Sequence, residues 1–292
     1  MNLMLKIVRL IRYRFFLFAG LFPYFLGQAA AFNTQQPFNW HIFNWGFLGI
    51  FLILTGVELF NEYFDSQSGG DRIFTIEKPA IPKHFYILGL LVFALAFCIG
   101  LYLTYLAGWG VLFFCFMGFL AAYFYVGPPF RWAYRGLGET IIALSYGPLM
   151  VLGSYYIQAK RVDVVPFYAS LICGLSIFCL AILNEIPDFY QDRLVGKKNL
   201  VVRMGKQKAV NFLSFCFGGV FLLLALGLFL NKIPTLALII FLLIPWLLKS
   251  TMYAKKNYDN PLMFRSVVNA NITIYLLIVS SITIGYLINY SG

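Results

Sequence analysis

The sequence predicts an all-α membrane protein, a bundle of nine transmembrane helices. Of its 292 residues, 61% are hydrophobic and only 11% are charged, whereas a soluble domain carries roughly 25% charged residues. The mean hydropathy is +0.80. The apolar residues form nine long stretches, and the basic residues lie mainly in alternate loops between them. Together these observations exclude a soluble globular domain.

Each stretch is a candidate transmembrane helix, because about 20 apolar residues cross a bilayer as an α-helix. The first stretch is not a signal peptide by its pattern, since it is long, lacks a small-residue cleavage site and precedes further spans. One stretch is short and contains Pro245, which leaves its boundaries poorly defined. The stretches are 15–33, 43–60, 85–107, 109–126, 138–157, 164–184, 210–230, 233–248 and 267–289.

The placement of Lys and Arg predicts the orientation of the bundle. Of the 22 basic residues, all but Lys160, Arg161 and Lys232 fall in loops on one side, and by the positive-inside rule that side is the cytoplasm. We therefore expect a cytoplasmic N-terminus and an outside C-terminus, in the cell (inner) membrane. Because topology and contact with the anionic lipid bilayer explain the net charge of +11, no nucleic-acid binding is predicted.

An Asn-Glu-x-x-Asp segment occurs twice, at residues 61–65 and 184–188. Each copy closes an even-numbered span, so both are expected on the cytoplasmic side. The repeat predicts one membrane-embedded domain, 1–292, built from two pseudo-repeats of about 1–130 and 131–292. The Asn and the Asp of each copy, four residues apart, would share a helix face. Pro187 is expected to break or kink the end of the sixth span.

Carboxylates beside apolar runs are costly, and a divalent cation with an anionic ligand would explain them. Mg²⁺ prefers oxygen ligands and is typically held by one or two carboxylates plus substrate phosphates. Two facing clusters could hold two such ions with a diphosphate between them, while Arg72 and Lys197 bind oxygens that the metals do not reach. Ordinary solvated loop charges are the alternative. The candidate metal ligands are Asn61, Asp65, Asp71, Asn184, Asp188 and Asp192.

These residues resemble the UbiA superfamily of intramembrane aromatic prenyltransferases, over essentially the whole chain. The first Asp-rich motif of that family is similar to segment 61–71, and the second motif with its Gly-Lys and Arg-x-Gly tail is similar to segment 188–205. Segments 125–139 and 147–156 look most like the 1,4-dihydroxy-2-naphthoate prenyltransferases of menaquinone biosynthesis. Segment 72–82 departs from that branch, which often has a Gly/Pro/Arg-rich sequence there, so the acceptor stays open.

The resemblance implies helices around a central cavity, and Mg²⁺-dependent transfer of a polyprenyl group from a polyprenyl diphosphate to an aromatic acceptor. The implied catalytic residues include Asp65, Asp188 and Tyr125, while Glu58 would bind the acceptor, act as a base or pair with an Arg. Aromatic ring faces attract cationic charge, and the candidate cavity-lining rings are Phe64, Tyr123, Tyr125 and Tyr146. Further candidates for the diphosphate, or else topology charges facing lipid, are Arg14 and Arg131.

Two alternatives accompany this interpretation. The same donor chemistry could serve another acceptor, such as 4-hydroxybenzoate, homogentisate, a chlorophyllide, haem or a glycerol-phosphate lipid. A cation-coupled transporter would also carry carboxylates in the membrane. However, transporter repeats are often inverted, whereas the two copies here end spans of the same orientation and lie at the predicted membrane surface.

Overall fold

The computed structural model describes residues 20–34, 37–68 and 81–288, with the backbone alone for Asp65 and Ser68. All regular secondary structure in these ranges is helical. Apolar segments fold this way because an α-helix satisfies its own backbone hydrogen bonds, which a bilayer cannot do. Two interruptions occur within the apolar spans: a π-helical turn over Ser145–Leu149 and a 3₁₀ segment over Thr235–Leu243.

The helices are numbered here in chain order. They are α1 (Leu21–Thr34), α2 (Trp40–Ser68), α3 (Lys83–Ala107), α4 (Gly110–Val126), α5 (Gly138–Leu144), α6 (Met150–Ala159), α7 (Val164–Glu185), α8 (Phe189–Leu194), α9 (Leu200–Met204), α10 (Lys206–Phe229), α11 (Ile244–Asn257) and α12 (Pro261–Ile288).

Each of the nine predicted stretches overlaps a helical segment. Within the described ranges, seven of these segments are long and apolar enough to cross a membrane, which confirms an all-α integral membrane protein. The helix α4 is apolar but only 17 residues long, and α1 is described over 14 residues. The count of nine spans, the orientation of the termini and the division into two pseudo-repeats stay predictions.

The eighth apolar segment is longer than its predicted range of 233–248. It runs from Thr235 to Asn257, first as the 3₁₀ segment and then as α11. Pro245 lies in the first turn of α11, where its missing N–H has no helical acceptor to lose. The proline therefore begins the α-helix instead of ending the span.

The two motif copies differ in local structure. The first copy lies within α2, so the backbones of Asn61 and Asp65 follow one another on a continuous helix. In the second copy α7 ends at Glu185, and Pro187 lies in the turn before α8. The predicted break at Pro187 is confirmed, because its ring cannot donate to the helical ladder. The expectation of one helical row from Asn184 to Asp188 is wrong for the same reason.

The most buried span is α7, at the centre of the bundle. Of the residues in its apolar stretch, 67% are buried, against 28–39% in the other six described spans. Its Gly174 packs directly against the π-helical turn, where a Cβ on Gly147 would lie 2.6 Å from the Gly174 Cα. This close approach leaves no space for a side chain. The neighbouring helices therefore enclose α7, while large apolar side chains on their outer faces are exposed, as lipid contact requires.

A separate apolar cluster lies at the end of the bundle away from the two motifs. It joins α1, the ends of α3 and α6 and the starts of α2 and α4, and we call it the far-end cluster. Its buried members are Tyr24, Ile42, Ile99, Leu103, Ala107, Val111 and Ile157.

Candidate active site

A cavity of about 800 Å³ lies between α2, α3, α4, α5, α6 and α7, and α1 and α12 each add one residue to its lining, Tyr24 and Ile272. Apolar side chains line most of it, and the charged side chains gather at one end. The two ends are lined by different parts of the chain. At the polar end are Glu58, Asn61, Glu62, Tyr125, Asn184, Glu185, Asp188 and Lys197; at the other end are Tyr24, Gly46, Leu103, Val111 and Ile157.

The fold brings the two motif copies to the same end of this cavity. The first copy contributes Asn61 and Glu62 from α2, and the second contributes Asn184, Glu185 and Asp188 from the end of α7. Residues separated by more than a hundred positions thus face one space. The break after α7 turns the chain so that Asp188 also reaches the cavity.

The amide oxygen of Asn61 is buried and has no hydrogen-bond partner among the described atoms. A buried polar atom without a partner is costly and calls for a ligand or an ion. Together with the oxygens of Asn184 and Asp188, it offers the hard oxygen donors that Mg²⁺ prefers. Among the described residues, no three Asp, Glu, His or Cys side chains are gathered as a metal site; the side chains of Asp65 and Asp71 are not among those described.

Lys197 is the cation of the polar end, and Asp192 holds it there. The Lys197 Nζ lies 3.4 Å from the Asp192 Oδ2, and the Lys197 N–H donates to the Asp192 carbonyl at 2.9 Å. The Asn199 Nδ2 donates to the same Oδ2 at 2.6 Å. Burial raises the pKa of the Asp192 carboxyl, and the Lys197 ammonium opposes that rise. Asp192 therefore lies behind Lys197 and does not itself line the cavity in the described structure.

Glu139 is a buried residue of this region to which sequence reasoning assigned no role. It lies at the start of α5 with no solvent exposure, and its Oε1 accepts the Leu200 N–H at 2.6 Å. That amide is one of the otherwise unsatisfied donors at the beginning of α9. Glu139 thus ties α5 to the segment that carries Lys197. The sequence signal that could have identified Glu139 is a carboxylate at the start of an apolar stretch.

A second set of hydrogen bonds holds the segment that carries Lys197. The Arg203 Nε donates to the Lys198 carbonyl at 2.9 Å, and its Nη2 donates to the Arg135 carbonyl. The Lys198 N–H in turn donates to the Tyr134 carbonyl at 3.2 Å. The loop before α5 and the loop before α9 are therefore one connected layer beneath the cavity.

The predicted aromatic and basic residues divide between the cavity and its surroundings. Tyr125 and Tyr146 line the cavity, and Tyr146 lies in the π-helical turn near Glu58. Phe64 and Tyr123 are packed against Phe60 instead. Arg131 is also away from the cavity lining. It is exposed, and its guanidinium carbon lies over the ring of Tyr134, 5.8 Å from the ring centroid.

The side chains of four predicted site residues lie outside the described part of the structure. Arg14, Asp71 and Arg72 lie outside the described residues, and Asp65 is described by its backbone alone, on α2. The predicted site residues whose side chains line the cavity are Glu58, Asn61, Tyr125, Asn184, Asp188 and Lys197, and Glu62 and Glu185 line it beside them.

The apolar bundle defines an integral membrane protein, and the family that the chain matches makes it a prenyltransferase. The chain belongs to the UbiA prenyltransferase family, whose model matches residues 20–286. It is 26% identical over 243 residues to a 2-carboxy-1,4-naphthoquinone phytyltransferase of Synechocystis, covering 82% of this chain and 79% of that protein. It is 27% identical over 254 residues to a 1,4-dihydroxy-2-naphthoate octaprenyltransferase of Escherichia coli, covering 79% and 80%. It is 28% identical over 175 residues to the Bacillus subtilis enzyme of the same name, covering 56% and 55%.

Solved structures share the fold. A digeranylgeranylglyceryl phosphate synthase superposes with a TM-score of 0.69 at 18% identity, covering 97% of both chains. A UbiA homologue from Archaeoglobus fulgidus bound to DMAPP and Mg²⁺ superposes with a TM-score of 0.63 at 16% identity, covering 94% of this chain and 99% of that one. At such identities the likeness establishes the fold.

Proposed function

We propose that this protein transfers a polyprenyl group from an allylic diphosphate to the aromatic ring of 1,4-dihydroxy-2-naphthoate, with Mg²⁺, as a step of menaquinone biosynthesis. One observation carries the proposal: both motif copies meet with Lys197 at one end of a long apolar cavity. The charged end suits a diphosphate and the apolar remainder suits its isoprenoid chain. The names of the Synechocystis and Escherichia coli relatives support a naphthoate-type acceptor.

The residues at the polar end fit a bound cation. Asn61, Asn184 and Asp188 would hold Mg²⁺ through their oxygens, with Asp65 and Asp71 as proposed further ligands. Asp192, predicted from the sequence as a ligand, would instead act by holding Lys197. The neighbour from Archaeoglobus fulgidus, of the same fold, binds DMAPP and Mg²⁺ together, which supports the same pairing here. When bound, Mg²⁺ acts as a Lewis acid and neutralises charge that develops on a departing diphosphate.

The chain's own residues would supply the rest of the chemistry. The Lys197 ammonium binds diphosphate oxygens, and the apolar cavity excludes water from the allylic cation that remains when the C–O bond breaks. The ring faces of Tyr125 and Tyr146 attract that positive charge. A carbon of the acceptor ring then forms the new C–C bond, and the ring proton passes to a base, the role proposed for Glu58. We further propose that this end faces the cytoplasm.

The test is an assay of the purified protein in detergent with Mg²⁺, geranylgeranyl diphosphate and a panel of acceptors. We expect alkylation of 1,4-dihydroxy-2-naphthoate in preference to 4-hydroxybenzoate and homogentisate. Asp188→Asn removes one charge at the polar end and should abolish turnover. The matched control is Asp163→Asn, which retains the capping oxygen of the Asp163 side chain that accepts the Val164 N–H at 2.7 Å, far from the motifs.

Three outcomes separate the parts of the proposal. Preferential alkylation of another acceptor would overturn the naphthoate assignment and leave the donor chemistry standing. Alkylation of no acceptor, together with unchanged diphosphate binding in Asp188→Asn, would overturn the site. Equal loss of turnover in Asp163→Asn and Asp188→Asn would mean that the effect is on folding and not on the site.

A further inference from the structure

The cavity has a measurable depth along the helices that line it. On α2 its lining runs from Asn61 at the polar end to Gly46 at the other end, and on α4 it runs from Tyr125 to Val111. The two ends are 15 positions apart on α2 and 14 positions apart on α4. With 3.6 residues to a turn, both helices give a depth of about four turns, or ~22 Å.

The far-end cluster closes the cavity at this depth. Val111, Leu103 and Ile157 line the cavity and are buried members of that cluster. A Cβ on Gly46 would lie 2.6 Å from the Ile157 Cδ1 and 2.7 Å from the Tyr24 hydroxyl. Even one additional methyl group therefore collides there. The described residues around Gly46 are therefore tightly packed at this end of the cavity.

Midway along the cavity there is space instead. Gly118 lines the cavity on α4, and a Cβ added to it would meet no atom within 4 Å. Gly118 is seven residues from Tyr125, which places it about two helical turns below the polar end. A larger side chain at this position would enter the cavity without first displacing a neighbour.

We propose that this cavity measures the donor's isoprenoid tail, with the far-end cluster as the stop. The inference rests on the proposed function, because it takes the polar end as the diphosphate site. One extended isoprene unit is about as long as one helical turn, ~5.4 Å, so the cavity accepts about four units. The donor class is therefore a geranylgeranyl or phytyl diphosphate, and an octaprenyl tail is too long to be enclosed.

The first test is donor binding, which does not depend on the acceptor. Affinities of geranyl, geranylgeranyl and octaprenyl diphosphate are measured by titration calorimetry on the purified protein with Mg²⁺. We expect geranylgeranyl diphosphate to bind at least about tenfold more tightly than geranyl diphosphate, because each buried methylene contributes to affinity. Octaprenyl diphosphate should bind no better than the geranylgeranyl compound. Tighter binding of the octaprenyl compound would overturn the proposal, because its tail would then leave the cavity sideways into lipid.

The second test moves the stop. Gly118→Leu should lower the affinity for geranylgeranyl diphosphate by about tenfold or more. The affinity for geranyl diphosphate should stay within about twofold of the wild type, because the new side chain lies below the shorter tail. Gly218→Leu is the matched control: Gly218 is also a mid-helix glycine, on α10, with open space around an added Cβ and no place in the cavity lining. An unchanged donor preference in Gly118→Leu would overturn the proposal.

The third test deepens the cavity. Ile157→Ala removes atoms from the stop, and it should raise the affinity for a pentaprenyl donor, one unit longer, relative to the geranylgeranyl donor. A ratio that stays as in the wild type contradicts the far-end cluster as the stop. Failure of the proposed function gives a different result, because then none of the three diphosphates would bind in a manner that depends on Asp188.

Discussion

At the scale of single residues, the polar end of the cavity depends on how one ammonium is held. Lys197 has a long side chain with several rotatable bonds, and a solvated lysine would gain little from binding an anion. Here Asp192 and the backbone fix its position before any ligand arrives. Asn199 adds a further hydrogen bond, from its Nδ2 to the Asp192 Oδ2. The arrangement converts a flexible charge into a directed one.

Removing the Lys197 charge should specifically impair the use of the diphosphate donor. Lys197→Gln should lower kcat/KM for the allylic diphosphate by about 10–100-fold, since hydrogen bonds to charged groups contribute about 1.5–3 kcal/mol. Lys198→Gln changes the adjacent, exposed lysine and should remain within about twofold of the wild type. Steady-state kinetics with varied donor concentration measure both. Equal behaviour of the two variants would contradict the role of Lys197.

The Asn199 side chain makes two hydrogen bonds, one to Asp192 and one that caps α9. Its Nδ2 donates to Asp192, while its Oδ1 accepts the Val202 N–H at 2.8 Å and caps α9. Asn199→Ala should lower the free energy of unfolding by about 1–2 kcal/mol through the lost cap and should also raise the KM for the donor. Asn260→Ala removes a comparable cap, at the start of α12, away from the cavity.

Thermal unfolding and donor KM, measured together, separate the two effects of Asn199. We expect both asparagine variants to melt at lower temperature, and only Asn199→Ala to show the higher KM. An unaltered KM in Asn199→Ala would show that Asp192 and Lys197 keep their positions without this amide.

At the scale of elements, the loops beneath the cavity are held by contacts between distant segments. The start of α5 and the start of α9 meet through the Glu139 carboxylate and the Leu200 N–H. The end of α7 is shaped by Pro187, which stops the helix and directs Asp188 toward the cavity. Each of these contacts joins segments that no helical periodicity relates.

Glu139 should therefore act as a positioning residue. Glu139→Ala leaves the part-buried Leu200 N–H without its acceptor. The loss should lower the free energy of unfolding by about 1–3 kcal/mol and lower kcat/KM as the Lys197 segment shifts. Glu139→Gln keeps an oxygen acceptor in the same place and should restore most of both quantities. Denaturation in detergent and donor kinetics measure them. A glutamine variant as impaired as the alanine variant would show that the negative charge itself is required.

At the scale of the whole molecule, the bundle separates a charged end from an apolar end. The motif residues and Lys197 lie at one end of the cavity, and the far-end cluster closes the other. A lipid-soluble tail and a charged headgroup can therefore occupy one site without either entering the wrong solvent. This separation follows from where the apolar spans end along the chain.

The predicted orientation can be measured by labelling with a membrane-impermeant maleimide. Lys256→Cys lies at the end of α11, on the predicted cytoplasmic side, and Val162→Cys lies in the exposed loop between α6 and α7. In intact cells we expect labelling of the Val162→Cys protein alone, and in inverted membrane vesicles of the Lys256→Cys protein alone. The wild type, whose five native cysteines lie in helices, is the background control. The reverse pattern would place the charged end outside.

The sequence by itself determined the class of protein, because apolar spans, charge asymmetry and repeated motifs are read along one dimension. It identified Asn61, Asn184, Asp188 and Lys197, since polar residues beside apolar runs are costly and therefore conspicuous. The tertiary structure alone decided which side chains share the cavity: it includes Tyr125 and Tyr146, directs Phe64 and Tyr123 into packing, and places Asp192 behind Lys197. It also decided the depth of the cavity and the buried tie made by Glu139. These properties depend on contacts between residues far apart in the chain, which local periodicity and spacing do not encode.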